Sequence, residues 1–67
     1  MKEYTVVIEK DEDGYFVGSV PSLHGCHTQA KTLDQLMIRM KEAVLLCLET
    51  ENDTEDLRFV GIQKIAV

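Results

Sequence analysis

Gly14-Tyr15-Phe16, then Pro21-Ser22-Leu23-His24-Gly25-Cys26-His27-Thr28, then Thr32-Leu33-Asp34-Gln35 decide the fold of this 67-residue chain. Upstream of the first triplet, Tyr4-Thr5-Val6-Val7-Ile8 is rich in β-branched and aromatic residues, and Tyr4, Val6 and Ile8 alternate with Thr5, Val7 and Glu9. That is a first strand. Lys10 to Gly14 breaks it with turn residues, and Asp13-Gly14 suits a position of positive φ. Tyr15 to Val20 resumes the pattern, which predicts an antiparallel hairpin. Pro21 has no amide hydrogen for a ladder and closes the second strand, while Gly25 permits a sharp reversal into a short third strand over Cys26 to Ala30.

The Thr32 hydroxyl can cap the first free amides of a helix, with Gln35 at the reciprocal position of a capping box and Asp34 favoured by the positive end of the dipole. The helix should start at Leu33. Leu33, Leu36, Met37, Met40, Ala43, Val44, Cys47 and Leu48 fall on one broad face, as expected of a helix lying on a sheet. Glu49, Glu51, Asp53, Glu55 and Asp56 crowd its end, where the macrodipole disfavours negative charge, so it should stop near Thr50 with Asn52 beyond. Phe59 to Val67 is again β-favouring, with Gly61 as a bulge, and predicts a final strand. The order β-β-β-α-β defines an α/β fold of the α+β kind, with one helix packed on a mainly antiparallel sheet.

A chain of this length forms one domain, residues 1–67, and buries about 60% of the surface its unfolded form exposes. Its core is thin, and association with a second copy is the natural remedy. Twelve acidic against seven basic residues give a net charge of −5, which a phosphate backbone repels. Lys2, Lys10, Lys31, Arg39, Lys41, Arg58 and Lys64 are scattered, so direct nucleic-acid binding is not expected and a basic protein partner fits better. Cys26 and Cys47 read as reduced thiols rather than a staple. There is no charged apolar leader, and the longest apolar run, Ala43 to Leu48, is too short for a bilayer. The expectation is a soluble cytoplasmic protein without membrane contact.

Tyr4 and the apolar first strand, the acidic turn before Gly14-Tyr15-Phe16, Val20-Pro21, Leu23, Gly25-Cys26, Thr28, Thr32 and Glu42-Ala43 occur in an order that resembles the HicB family. These are antitoxins that neutralise small HicA ribonuclease toxins of bacteria and archaea. The resemblance implies a fold similar to a truncated ribonuclease H core, with a helix over three antiparallel strands and a fourth beside the first. The chain departs from the family pattern at Ala30, where glycine is common, and at Asp34-Gln35-Leu36, where two acids and an alanine are usual. Longer members carry a C-terminal helix-turn-helix or ribbon-helix-helix domain. This sequence has none before Val67, so the resemblance implies toxin binding without a DNA-binding domain of its own. Fold likeness does not carry nuclease activity. Two-metal cleavage needs several converging carboxylates, and the first strand offers only Glu9 near its end, so a non-catalytic chain without cofactor is expected.

Four groups of residues have functional readings beside plainer ones. His24, Cys26 and His27 are zinc-ligand types, but their spacing is not a metal motif and Cys47 is expected in the core, so they read as loop packing. A nucleophilic Cys26 with His27 as base is expected still less, because adjacent strand residues point to opposite faces. Ile38, Leu45 and Leu46 lie off the main helix face and either join subunits or are covered by a curling sheet. Asp11, Glu12 and Asp13, with Glu49 and Glu51, either meet a cationic toxin or form solvated loops. Phe59, Val60 and Ile62 in the last strand either pair across a two-fold axis or pair inside the monomer.

The reading that follows is a homodimeric or larger antitoxin-like protein that masks a HicA-like toxin. Its rivals are an orphan interaction module with an unrelated partner, a metal-dependent nuclease-like enzyme, and an RNA-binding module.

Overall fold

A computed structural model describes residues 2–50 and 58–67. Three strands, β1 (Val7–Lys10), β2 (Phe16–Ser19) and β3 (His27–Ala30), precede one helix, α1 (Leu33–Thr50). The sheet order is β1-β2-β3 with both pairs antiparallel. This is the α+β arrangement, in β-β-β-α order, that the two hydrophobic periodicities predict.

The strand expected over Phe59 to Val67 does not form within the chain. Residues 58–67 carry no regular secondary structure, and Val60, Ile62 and Ile65 are 94%, 70% and 86% exposed. Alternation tells only that a segment can pair. Pairing itself needs a neighbour's donors and acceptors, and no strand of the sheet supplies them here. Without a ladder, Gly61 marks no bulge.

The first strand is displaced from its expected place over Tyr4 to Ile8, for a reason that lies in β2. The register pairs Val7 with Ser19 and Lys10 with Phe16, so Tyr4 to Val6 run past the end of β2. On the β3 side the Val20 amide donates to the Cys26 carbonyl (3.0 Å). The next bonded pair of the β1–β2 ladder would join Thr5 to position 21, where Pro21 has no amide to donate and the chain turns toward β3. The overhanging residues therefore have no ladder partner in the sheet.

The connection from β2 to β3 is a compact plug. The Leu23 amide donates to the Val20 carbonyl and the Cys26 amide to the Leu23 carbonyl, at 3.1 and 3.2 Å. Gly25, at φ 72°, makes the reversal that an L side chain resists. These turns drive Val20, Leu23 and Cys26 inward, where with Ala30, Leu36 and Met40 they form the buried core.

Helix α1 starts where its cap dictates. The Gln35 amide donates to Thr32 Oγ1 (3.1 Å) and the Leu36 amide to the Thr32 carbonyl (2.9 Å). Leu36 and Met40 then project one turn apart onto the sheet, and Ala43, Val44 and Cys47 continue the stripe half-buried. The helix packs on β3 and β2 but not on β1. That offset leaves the β1 side of the sheet without helix packing.

Candidate functional site

Each edge of the sheet presents backbone groups to its surroundings, and the two are treated differently. In antiparallel pairs only alternate residues bond across a given side. The Val20–Cys26 bond fixes the phase of the β2–β3 ladder, so the carbonyl of Gln29 points outward, and Arg39 Nη1 donates to it at 2.9 Å. Helix α1 thereby covers part of the β3 edge. On the other side, the Asp11 amide bonds the Tyr15 carbonyl, which makes Val7 and Glu9 the residues bonded to β2. Val6 and Ile8 turn their amides and carbonyls away from the sheet. Among the described residues nothing receives them.

Next to this open edge lies an apolar groove of about 530 Å³. Tyr4 and Val6 line it from the sheet side, Met37, Met40, Val44, Leu45 and Leu48 from the helix, and Lys2 and Lys41 complete the lining. The groove exists because α1 leans toward β3. Sequence reasoning assigned Met37, Met40, Val44 and Leu48 to the face that covers the sheet, and missed that part of this face hangs beyond β2. The signal was present in the width of the stripe, which exceeds what four-residue strands can cover. Leu45, from the second stripe, lines the same groove, whereas Ile38 and Leu46 are exposed outside it.

The acidic residues separate into two regions. Asp11 is the scaffold of the hairpin turn: its Oδ1 accepts from the amides of Asp13 (3.0 Å) and Tyr15 (2.9 Å), while Gly14 takes φ 84°. Glu12 and Asp13 are exposed beside it. The register places this turn at the end of the sheet where α1 begins, and Lys31 Nζ, just before the helix, lies 5.8 Å from the centre of the Tyr15 ring. Glu49 is exposed in the last turn of the helix, about 22 Å from Asp34 at 1.5 Å per residue. The two acidic groups therefore do not merge into one patch. Glu51, with Asn52, Asp53, Glu55 and Asp56, lies outside the described residues.

The histidines and cysteines are also divided. Cys26 is buried in the core, His24 and His27 are exposed, and Cys47 is half-buried against the core from the helix. His27 Nδ1 lies 3.1 Å from the Gly25 carbonyl, to which its protonated form donates. Among the described residues, no three His, Cys, Asp or Glu side chains gather where a metal ion could be held. None of the described helices is long and apolar enough to cross a membrane.

The described surface thus combines an open sheet edge, an apolar groove and two separated groups of acids. Residues 4–65 match the model of a family described as the HicB-like antitoxin of bacterial toxin-antitoxin systems. The chain belongs to the HicB-like antitoxin family. A UPF0150 protein of Archaeoglobus fulgidus is 58% identical over 65 residues, which are 97% of this chain and 94% of that one. A UPF0150 protein of Synechocystis is 44% identical over 98% of this chain and 96% of its own length. A third, from Thermoplasma acidophilum, is 52% identical over 72% of this chain and 70% of its own. Membership of the HicB-like family supports an antitoxin role, and with it a toxin as partner.

Proposed function

We propose that this HicB-like chain neutralises a HicA-like, mRNA-cleaving toxin by covering the toxin's RNA-binding or catalytic surface. It acts in the cytoplasm as a homodimer, performs no catalysis, and does not itself contact nucleic acid. The observation that carries this reading is the family match across residues 4–65. The charge supports it: a toxin that grips RNA presents a cationic surface, and this chain carries a net charge of −5. Glu12 and Asp13 at one end and Glu49 at the other are the exposed acids best placed to meet it, and Asp11 serves by holding the turn in shape.

Rim charges act mainly on the rate of encounter. Replacing Glu12 and Asp13 with Gln and Asn is therefore expected to slow association with the toxin roughly threefold to tenfold at low salt, with little change in dissociation. Stopped-flow association measured from 50 to 500 mM salt checks this. A wild-type on-rate that does not change with salt removes the electrostatic part of the proposal.

A further inference from the structure

We propose that the segment 58–67 leaves its own chain and adds as a strand to the open edge of β1 in a second copy, where its side chains fill the groove beneath α1. The partner copy returns the same segment, which closes a two-fold, strand-exchanged dimer.

Four independent observations meet in this arrangement. The outward amides and carbonyls of Val6 and Ile8 need a strand beside them, and β1 is the sheet edge without a covering side chain among the described residues. The groove alongside is lined almost wholly by apolar side chains, of which Met37 and Leu48 are more than a third exposed. The segment 58–67 has the complementary need: it is β-favouring in sequence, unpaired in the structure, and holds out Val60, Ile62, Ile65 and Val67. Finally, the core of a single copy is small, six buried hydrophobics among the described residues, and a chain of this size gains most from a shared one.

The occupant is a second copy because the segment does not lie in its own groove: none of the lining residues comes from 58–67. Each chain carries both a vacant strand position and a strand to fill one, so two copies satisfy each other and leave neither surplus. The exchange also converts the sheet from three strands to four and gives the overhanging part of the α1 apolar face, on the β1 side, side chains to pack against. This inference rests on the homodimer of that reading and goes beyond it in naming the strand and groove that join the copies; its test contains no toxin, so its failure is told apart from a failure of toxin binding.

The test uses the full chain. Light scattering during size exclusion is expected to give twice the 7.6 kDa chain mass for the wild type. In an equimolar mixture of ¹³C-labelled and unlabelled chains, filtered nuclear Overhauser spectra are expected to connect methyls of Val60 or Ile62 with Tyr4, Val6 or Val44 across copies. Two variants sharpen the result: Met37→Glu spoils the groove, and Val60→Asp with Ile62→Asp spoils the strand. Each alone is expected to run as a monomer with unchanged helical circular dichroism. Mixed, they are expected to recover a dimer, because the intact strand of the first fits the intact groove of the second. A wild type that is monomeric up to millimolar concentration, or whose Overhauser contacts are all within one chain, overturns the proposal. So does a dimer joined through Ile38 and Leu46, or a mixture of variants that stays monomeric.

Discussion

Leu36→Ala is expected to remove about 3 kcal/mol of stability, within the range of about 2 to 5 found for large-to-small changes in cores. Leu36 is fully buried, with 0% exposure, and shares the buried core with Met40 from the helix and with Val20, Leu23 and Cys26 from the β2–β3 connection. Its loss removes several methyl and methylene groups from contact and leaves a cavity that the capped first turn of α1 cannot collapse into. A domain of this length has only about 3 to 10 kcal/mol in total, at 0.05–0.15 per residue. The variant should therefore unfold at a much lower urea midpoint, with a measurable unfolded fraction in buffer. Ile38→Ala, two residues along on the exposed face, should change stability by under about 0.5 kcal/mol. A larger loss at Ile38 would show that the second apolar stripe, not the groove, joins subunits.

Gly18→Val is expected to cost about 2 kcal/mol, the middle of the range for overpacked cores. Gly18 lies in β2 opposite Ile8 on one side and Thr28 on the other, under the helix. A Cβ at this position would stand 2.8 Å from Met40 Sδ, 3.2 Å from Met40 Cγ and 3.4 Å from Leu36 Cδ1. Met40 is almost fully buried, so its thioether has little room to withdraw, and the helix must lift instead. Gly18→Ala should cost less, because a single methyl meets chiefly the Met40 thioether, whereas valine adds two further methyls, and alanine also reduces the freedom of the unfolded chain. The ordering wild type, Ala, Val in thermal midpoint checks the close approach of α1 to β2. Equal midpoints for all three would mean that the helix does not sit this close.

These two positions also show what the sequence makes legible. The start of the helix at Leu33 follows from local chemistry, because Thr32 offers a cap; its expected end near Thr50, with Asn52 beyond, borders residues outside the described ones. The hairpin was equally readable, because Asp11 and Gly14 carry their own turn geometry. The start of β1 was not, since its ladder depends on where β2 is cut short by Pro21, a contact across the sheet rather than along the chain. The final strand does not form within the chain although Phe59 to Val67 has the pattern of one, because alternation shows that a segment can pair and does not supply the neighbour. The groove was hidden because it arises from the lateral position of α1, which periodicity does not encode.

Toxin binding can be measured without reference to any of these structural variants. The most direct measurement is cleavage of a labelled mRNA by the HicA-like toxin that the proposal names as partner, titrated with this protein. Cleavage should fall in proportion to added chain and cease near a fixed stoichiometric ratio, with no RNA shifted by the protein alone. Undiminished cleavage in the presence of a large excess of folded protein would contradict the account.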